Sequence, residues 1–399
     1  MTSLKERVSK YTEPQKVQAA GLYPYFRVLE SGQDKVVKID GKDVLMFGSN
    51  NYLGLTSHPK TKEYAIKAVE KYGTGTAGSR FLNGTLDIHL ELEEKLSRFV
   101  GKDDAITFST GFQTNLGAIS GLSSRNDCLI IDEQDHASLI DGTRLSFAKV
   151  FKYKHNDMES LENVLKKRAP EYEVKFIILD GVFSMEGDVA KLDHVVALAE
   201  KYGASILLDD AHGLGVMGKN GKGTANHFNV TDQVDVITGT FSKSLATVGG
   251  FIAASKEIIN LLKHVSRSFI FSASMPPAST ASVIAALEII EEQPEIIDKL
   301  WENTHFSIEL FNHYGIDIGQ SETPIIPVYI RDLEKTFLLT KMLLNEGIFV
   351  NPVISPAVPP EHSLIRFSLM ATHTQEQIEY TIQKIHELGK QLGLFKHSA

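Results

Sequence analysis

The sequence predicts an α/β fold, in which a large domain with a mostly parallel sheet precedes a smaller α+β domain at the carboxyl-terminal end. Short apolar runs recur between about residues 100 and 255, and helical patterns such as Val195 to Tyr202 separate them. This alternation is typical of βαβ units. The pattern changes after about residue 285. With 399 residues, 42% of them hydrophobic, the chain is long enough for two cores.

The predicted elements follow in order along the chain. Residues 1–55 are predicted to form an amino-terminal arm, with a hairpin around Asp40-Gly41-Lys42, that packs on another body such as a second subunit. A helix begins near His58-Pro59, where proline suits the first turn, and runs to about Tyr72. Residues 56–285 are predicted to form the large domain, with strands at Ala105–Phe108, Cys128–Ile131, Val174–Leu179, Ser205–Leu208, Val234–Thr238 and Phe251–Ala254.

Residues 286–399 are predicted to form the small domain. One long helix starts at Ala285, continues around Ile296 to Phe311, and leads into a segment at Pro324 to Ile330. A further helix, strands near Phe349–Val353 and Leu364–Leu369, and a terminal helix complete this domain.

Composition excludes several classes of protein. The net charge is −9 and the pI about 5.9, and no basic block with interleaved aromatic residues is present, so nucleic acid is not an expected partner. The amino-terminal residues lack the apolar core of a secretory signal, and no run approaches 18 apolar residues, so we expect a cytoplasmic protein without a membrane span. The single cysteine, Cys128, lies in an apolar run and is expected to be a buried hydrophobe.

An aspartate and a lysine follow two neighbouring predicted strands. The run Leu207 to His212 contains Asp209 and Asp210, and Gly239 to Leu245 contains Lys243. Ligands of open α/β sheets bind at the carboxyl ends of the strands. A lysine there can form a Schiff base, and a buried aspartate can pair with a pyridinium nitrogen. Together they are what pyridoxal phosphate (PLP) chemistry requires, although a solvated loop lysine and a turn-capping aspartate are the ordinary alternatives.

Two histidines extend this pattern. His212 stands three residues after Asp209 and is placed to reach a ring hydroxyl of the cofactor. His136 follows another predicted strand, where it can stack on a flat cofactor or act as an acid or base near neutral pH. An isolated histidine is usually structural, and the position of His136 at a third strand end favours the functional interpretation.

Phosphate and carboxylate groups also have candidate partners. Thr110, Gly111 and Phe112 form a strand-to-helix turn, and backbone N–H groups at a helix start attract phosphate. The hydroxyls of Thr240 and Ser242 flank Lys243 and suit the same group. Arg366 interrupts an apolar strand, a costly placement unless the guanidinium is paired, either in an internal salt bridge or with a substrate carboxylate.

A second glycine pattern is a competing signal. Gly213, Gly215 and Gly218 spell the G-x-G-x-x-G of dinucleotide-binding proteins directly after a strand. That motif has to open a helix, and Lys-Asn-Gly-Lys-Gly-Thr follows here, which is not helix-forming. We therefore expect these glycines to permit tight turns beside the cofactor, and a nicotinamide oxidoreductase remains an alternative of a different class.

Taken together, these motifs resemble the α-oxoamine synthases, PLP enzymes of fold type I (aspartate-aminotransferase-like). The resemblance covers nearly the whole chain, and the stretches around Ser79-Arg80 and Arg366 are most similar to the bacterial soluble serine palmitoyltransferases. The motifs that carry it are Asn50–Gly54, Gly73–Gly75, Gly78–His89, Leu92-Glu93, Asp209–His212, Gly239–Lys243 and Arg366–His373.

The resemblance implies a role for each matching residue. Lys243 would carry the cofactor and move the α-proton, Asp209 would pair with the ring nitrogen and His212 with the ring oxygen, and His136 would stack on the ring and help to hold the substrate. Asn50 and Ser184 would line the acyl or carboxylate side, and Arg366 would bind the carboxylate. The phosphate would be held by Thr110, Gly111, Phe112, Thr240 and Ser242, and by Ser272 or Ser274 of a neighbouring subunit.

The reaction implied by the resemblance joins L-serine to palmitoyl-CoA in a homodimer. A sister enzyme that uses glycine or alanine with another acyl-CoA is the first alternative, and a non-catalytic PLP-fold module is a further one. Lys35, Lys38 and Lys42 of the arm are candidates for CoA phosphates, but solvated lysines explain them equally well.

Overall fold

The computed structural model describes residues 2–395, so residues 1 and 396–399 of the predicted arm and small domain lie outside the described residues. Its strands are β1 Val36–Ile39, β2 Lys42–Met46, β3 Asp104–Phe108, β4 Cys128–Asp132, β5 Lys149–Tyr153, β6 Lys175–Asp180, β7 Ser205–Asp209, β8 Val236–Thr240, β9 Gly250–Ala254, β10 Ile325–Tyr329, β11 Ile348–Phe349, β12 Asn351–Val353 and β13 Leu364–Ser368. Its α-helices are α1 Leu4–Ser9, α2 Glu13–Ala19, α3 Pro59–Tyr72, α4 Asp87–Val100, α5 Gly111–Leu122, α6 Ala137–Leu145, α7 Met158–Lys167, α8 Leu192–Tyr202, α9 Thr224–His227, α10 Lys256–Val265, α11 Arg267–Ile270, α12 Pro277–Glu292, α13 Glu295–His313, α14 Leu333–Asn345 and α15 Gln375–Gln391.

Seven strands form the central sheet in the order β3-β9-β8-β7-β6-β4-β5. The β8-β7-β6-β4-β5 part is parallel, and β9 is antiparallel to both β3 and β8. Helices cover both faces, with one apolar cluster on each. This sheet confirms the predicted fold class, since parallel strands joined by helical crossovers are buried on both faces. Cys128 is buried in β4, as its apolar neighbours predict.

Strand β5 was absent from the sequence prediction. Its sequence, KVFKY, has exposed lysines at positions 149 and 152 and buries Phe151 and Tyr153. It lies at the edge of the sheet and pairs only with β4 among the described strands. A strand with a neighbour on one side only is more exposed to water, so β5 lacks the continuous apolar run that marks the central strands.

The amino-terminal hairpin packs on its own chain. β1 and β2 pair through a turn at Asp40 and Gly41, both with positive φ, which suits a two-residue hairpin loop. β2 then pairs in parallel with β11, so the hairpin packs on the carboxyl-terminal part of its own chain. Packing of the arm on a second subunit stays a prediction. The division of the chain at residues 55 and 285 stays a prediction.

Two helices stand where one long helix was predicted. α12 ends at Glu292 and α13 begins at Glu295. Pro294 lies between them, and proline both lacks the N–H that a continuous helix needs and disfavours helical backbone at the residue before it. A second antiparallel sheet, β10-β13-β12, follows in the carboxyl-terminal part. No helix within residues 2–395 is long and apolar enough to cross a membrane.

Candidate active site

A cavity of about 310 Å³ opens at the carboxyl ends of β4, β6, β7 and β8. The sheet places it there because polar residues end each of these parallel strands, and parallel strands end at one edge. Its walls are formed by Thr110, Gly111, Phe112, Asn115, His136, Ser138, Asp180, Asp209, Ala211, His212, Gly239, Thr240, Ser242, Lys243, Val248 and Gly249. Most of the site residues predicted from the sequence therefore meet in one cavity.

Lys243 lies in the loop that follows β8. Burial, with a smaller effect from the charge of Arg366, lowers the pKa of its amine to about 8 against the opposing effect of Asp209 and Asp180. An unperturbed lysine is protonated until about pH 10.4. A substantial fraction of Lys243 is therefore unprotonated and nucleophilic just above neutral pH.

The two aspartates after β7 have different surroundings. Asp209 lines the cavity, where its carboxylate accepts hydrogen bonds from Asn115 Nδ2 (2.6 Å) and from the backbone N–H of Ala211 (3.0 Å). Asp210 points away and accepts both the N–H and the hydroxyl of Thr224, at 2.7 and 2.6 Å. Only Asp209 is thus available to a ligand in the cavity, in agreement with the choice made from the resemblance.

His136 is held in place by hydrogen bonds to Asp180 and Ser138. Its backbone N–H donates to Asp180 Oδ2 (2.7 Å), and its ring nitrogen Nδ1 meets the hydroxyl of Ser138 at 2.7 Å. Burial lowers the pKa of the imidazole, which Asp209 partly offsets and the ammonium group of Lys243 reinforces. The ring is therefore neutral at physiological pH, with one nitrogen that donates and one that accepts.

The turn from β3 into α5 is a candidate anion cradle. Thr110 caps the helix by accepting the N–H of Gln113 (3.1 Å), while Gly111 and Phe112 are the first helical residues, whose N–H groups have no partner inside a helix. A Cβ at Gly111 would lie 2.7 Å from Thr240. Thr240 and Ser242 bring their hydroxyls together at 2.9 Å beside this turn.

Arg366 reaches the site from β13 and is only 5% exposed. Its guanidinium donates to the carbonyl of Ser184 (2.6 Å), the hydroxyl of Ser368 (2.6 Å) and the hydroxyl of Tyr52 (3.2 Å). These partners are neutral rather than the carboxylate that an internal salt bridge would supply. The Tyr52 hydroxyl also meets His212 Nδ1 at 2.7 Å, so it connects the arginine to the cavity wall.

Five predicted residues lie outside the cavity wall: Arg366, described above, and four others. Asn50 accepts a hydrogen bond from Tyr52 (3.3 Å), and Ser184 lines a neighbouring cleft with Phe183 and Val358. Ser272 contacts Gln113 of α5 (3.2 Å), and Ser274 contacts the carbonyl of Gly78 (3.2 Å).

The sequence analysis missed Tyr52, Asn115 and Ser138. Their signals were weak: Tyr52 lies inside the Asn50–Gly54 motif, Asn115 is an amide on a helix otherwise rich in small and apolar residues, and Ser138 follows His136 by two positions.

One glycine of the second pattern, Gly213, and the later Gly223 leave space for the side chain of Asp210. Added Cβ atoms at Gly213 and Gly223 would each lie 2.0 Å from a carboxylate oxygen of Asp210. The chain then forms a short 3₁₀ turn at Lys219–Gly221 and not the helix that a dinucleotide site requires. The glycines therefore permit the loop to close around a buried carboxyl.

Comparisons with known proteins agree with this geometry. The aminotransferase class I and II family model matches residues 42–385. The chain is 57% identical over 388 residues to a serine palmitoyltransferase of Sphingobacterium spiritivorum, covering 97% of each chain. It is 44% identical over 380 residues to an 8-amino-7-oxononanoate synthase of Thermoanaerobacter pseudethanolicus, covering 95% of this chain and 96% of that one.

A solved structure of serine palmitoyltransferase with its PLP internal aldimine superposes with a TM-score of 0.95 at 35% identity, covering 98% of this chain and 99% of that one. The chain belongs to the aminotransferase class I and II family. Within that family it is an α-oxoamine synthase similar to serine palmitoyltransferase, which confirms the resemblance found in the sequence.

Proposed function

We propose that the chain is a PLP-dependent serine C-palmitoyltransferase. It joins L-serine to palmitoyl-CoA and gives 3-ketodihydrosphingosine, CoA and CO₂. The observation that carries the proposal is the placement of Lys243, Asp209 and an anion cradle around one cavity, in a chain 57% identical to a serine palmitoyltransferase.

The residues present fit PLP. Gly111 leaves space beside Thr240 that a Cβ would fill, and the free N–H groups of the α5 start suit the cofactor phosphate. Asp209 is the acceptor for a protonated ring nitrogen, His212 is the partner of the ring oxygen through its N–H group, and Lys243 is the amine for covalent attachment. Ser272 and Ser274 are proposed to reach the phosphate of a neighbouring subunit.

Different side chains of the protein bind the substrate and move its proton. Arg366 holds the serine carboxylate by paired N–H donors, with Asn50 and Ser184 beside it. Lys243 removes the proton from serine Cα. When bound, PLP supplies the electron sink that makes this proton removable and the later loss of CO₂ feasible.

His136 lies where it can donate a hydrogen bond to the thioester carbonyl oxygen as the new C–C bond forms. The C–S bond then breaks and CoA leaves as the thiolate, which takes up a proton from solvent. The carboxylate would then leave as CO₂, with the cofactor taking up the electron pair of the broken C–C bond, and Lys243 would return a proton to the same carbon.

A homodimer and a cytoplasmic location are parts of the proposal. Several large apolar side chains are exposed, among them Val248 of the cavity wall (58%), Phe271 next to Ser272 (75%) and Leu82 (77%). Exposed apolar surface suits a protein interface, and a second copy would bring Ser272 or Ser274 to the partner's site. Light scattering on the purified protein tests the dimer, and a monomer that turns over at full rate would contradict it.

The experiment that tests the function measures CoA thiol release from palmitoyl-CoA by PLP-loaded protein, with serine, glycine and alanine compared. Release with serine and the long-chain thioester alone supports the proposal. The 44% identity to an 8-amino-7-oxononanoate synthase makes a sister condensation the second candidate. Release only with alanine and a shorter acyl-CoA would establish that reaction instead, and release with no pair would contradict both.

A further inference from the structure

A continuous chain of buried hydrogen bonds joins Asp209 to His136. Thr238 Oγ1 donates to Asn115 Oδ1 (2.8 Å), and Asn115 Nδ2 donates both to Asp209 Oδ2 (2.6 Å) and to Ser138 Oγ (2.8 Å). Ser138 Oγ in turn meets His136 Nδ1 at 2.7 Å. Asn115, Ser138 and Thr238 are at most 3% exposed, so water does not compete for these contacts.

The direction of the bonds around Asn115 is determined. A carboxylate only accepts hydrogen bonds, so Asp209 fixes which end of the Asn115 side chain carries the NH₂ group. The NH₂ group of Asn115 occupies one of the two acceptor sites of the Ser138 hydroxyl, which leaves its proton available to His136.

The backbone of Ser138 gives an independent indication. Its N–H donates to His136 Nδ1 at 3.3 Å, and an N–H group has no acceptor function. Nδ1 therefore carries no proton in the neutral ring, and the proton of His136 is on Nε2, the nitrogen left free to face a ligand.

We infer that Asn115 and Ser138 are positioning residues that hold His136 as the Nε2–H tautomer and keep a donor on the Asp209 carboxylate. Through Asn115, one amide group serves both ends of the site. The inference rests on the proposed function for its catalytic meaning, because an Nε2–H group is what a thioester carbonyl needs from His136. The tautomer itself does not depend on which reaction the protein performs.

The test combines imidazole ¹⁵N NMR with steady-state kinetics on full-length, PLP-loaded protein. Histidine-selective labelling, with His136→Gln to assign the signal, reports which ring nitrogen is protonated. Ser138→Ala removes the hydroxyl donor at the His136 end. Ser307→Ala is the matched control, since Ser307 is equally buried but donates to the carbonyl of Asn303 in its own helix.

We expect an Nε2–H signal in the wild-type protein and a shift toward mixed tautomers in Ser138→Ala. The kcat should fall about tenfold, as for one lost hydrogen bond, while the KM for serine changes less than twofold and Ser307→Ala remains normal in both measurements. An Nδ1–H signal in the wild-type protein would overturn the inference, as would unchanged imidazole signals and kcat in Ser138→Ala.

A second variant keeps the inference testable should Ser138→Ala fail to fold. Asn115→Leu breaks the chain one step further away, and is expected both to disturb the His136 signal and to weaken PLP binding about tenfold in equilibrium dialysis. Normal signals and normal PLP binding would count against it. If palmitoyl-CoA and serine proved not to be the substrates, the NMR and dialysis results would still stand, so the two failures are distinguishable.

Discussion

Asp209 and Asp210 are adjacent, yet the side chain of Asp209 lines the cavity and that of Asp210 points away from it. Substitution of Asp210 should therefore lower the stability of the fold, whereas substitution of Asp209 should weaken cofactor binding. Asp210→Ala deletes the acceptor of the Thr224 N–H and hydroxyl, and leaves two buried donors unpaired. At about 1–2 kcal/mol for each lost bond with its unsatisfied partner, the cost is roughly 3 kcal/mol. Near Tm, an unfolding entropy of about 2.1 cal/mol/K per residue converts this into a fall of roughly 4 °C.

The cost of Asp210→Ala should also depend on pH. Burial raises the pKa of the Asp210 carboxyl to about 7, above its value in the unfolded chain. The stability that the protonated carboxyl contributes is full below the unfolded pKa and is lost as the pH rises through about 7. The measured difference from wild type should therefore be larger at pH 6 than at pH 8, by roughly 1.4 kcal/mol at most.

The assay pairs denaturant unfolding with PLP binding by equilibrium dialysis. Asp210→Ala should lose stability and retain PLP affinity within about threefold, whereas Asp209→Asn should lose PLP affinity at least tenfold because a neutral amide cannot balance a pyridinium charge. The reverse result, with PLP binding lost in Asp210→Ala and kept in Asp209→Asn, would refute the assignment of the two carboxyls.

Three further outcomes follow from the same geometry. Because the pKa of Lys243 is lowered to about 8, covalent capture of PLP, trapped by borohydride and read by mass spectrometry, should accelerate about fivefold from pH 7 to 8 and about twofold more at higher pH before it levels off; a rate still rising tenfold per unit at pH 10 would contradict that pKa, and Lys243→Ala should show no capture. Arg366→Lys should raise the KM for serine by about 10- to 100-fold through loss of the paired donors, and an unchanged KM would place the carboxylate elsewhere. Gly111→Ala should weaken PLP binding at least tenfold because its Cβ would meet Thr240, whereas Gly75→Ala, whose Cβ has no neighbour within 4 Å, should bind PLP normally; equal affinities would argue against the cradle.

The sequence predicts the strand ends of this site well because each chemical residue follows directly on a buried apolar run. His136, Asp209 and Lys243 each stand within a few residues of such a run, and parallel strands ending at one edge bring them together. Strand β5 could not be predicted in the same way, because lysines at two of its five positions interrupt the apolar run.

Contacts between residues far apart in the sequence could not be predicted from the sequence. Tyr52 and Arg366 are 314 positions apart and Asn115 and Asp209 are 94 positions apart. No local pattern encodes such a pairing, since a tyrosine in a loop or an asparagine in a helix has many ordinary places. Similarly, the hairpin turn at Asp40 and Gly41 was readable from two residues, but its parallel pairing with β11 required the folded chain.

Helix α5 carries both the anion cradle at Gly111 and, one turn later, the Asn115 amide that binds Asp209. A rise of about 1.5 Å per residue places these two points roughly 6 Å apart along a rigid axis. In the proposed site, the helix therefore fixes the distance between the group that binds the phosphate, at Gly111, and the carboxylate that binds the ring nitrogen, Asp209. A pyridoxal analogue with a longer phosphate arm would reach only one of these two partners. A single helical turn would thus select among vitamin B6 derivatives by length.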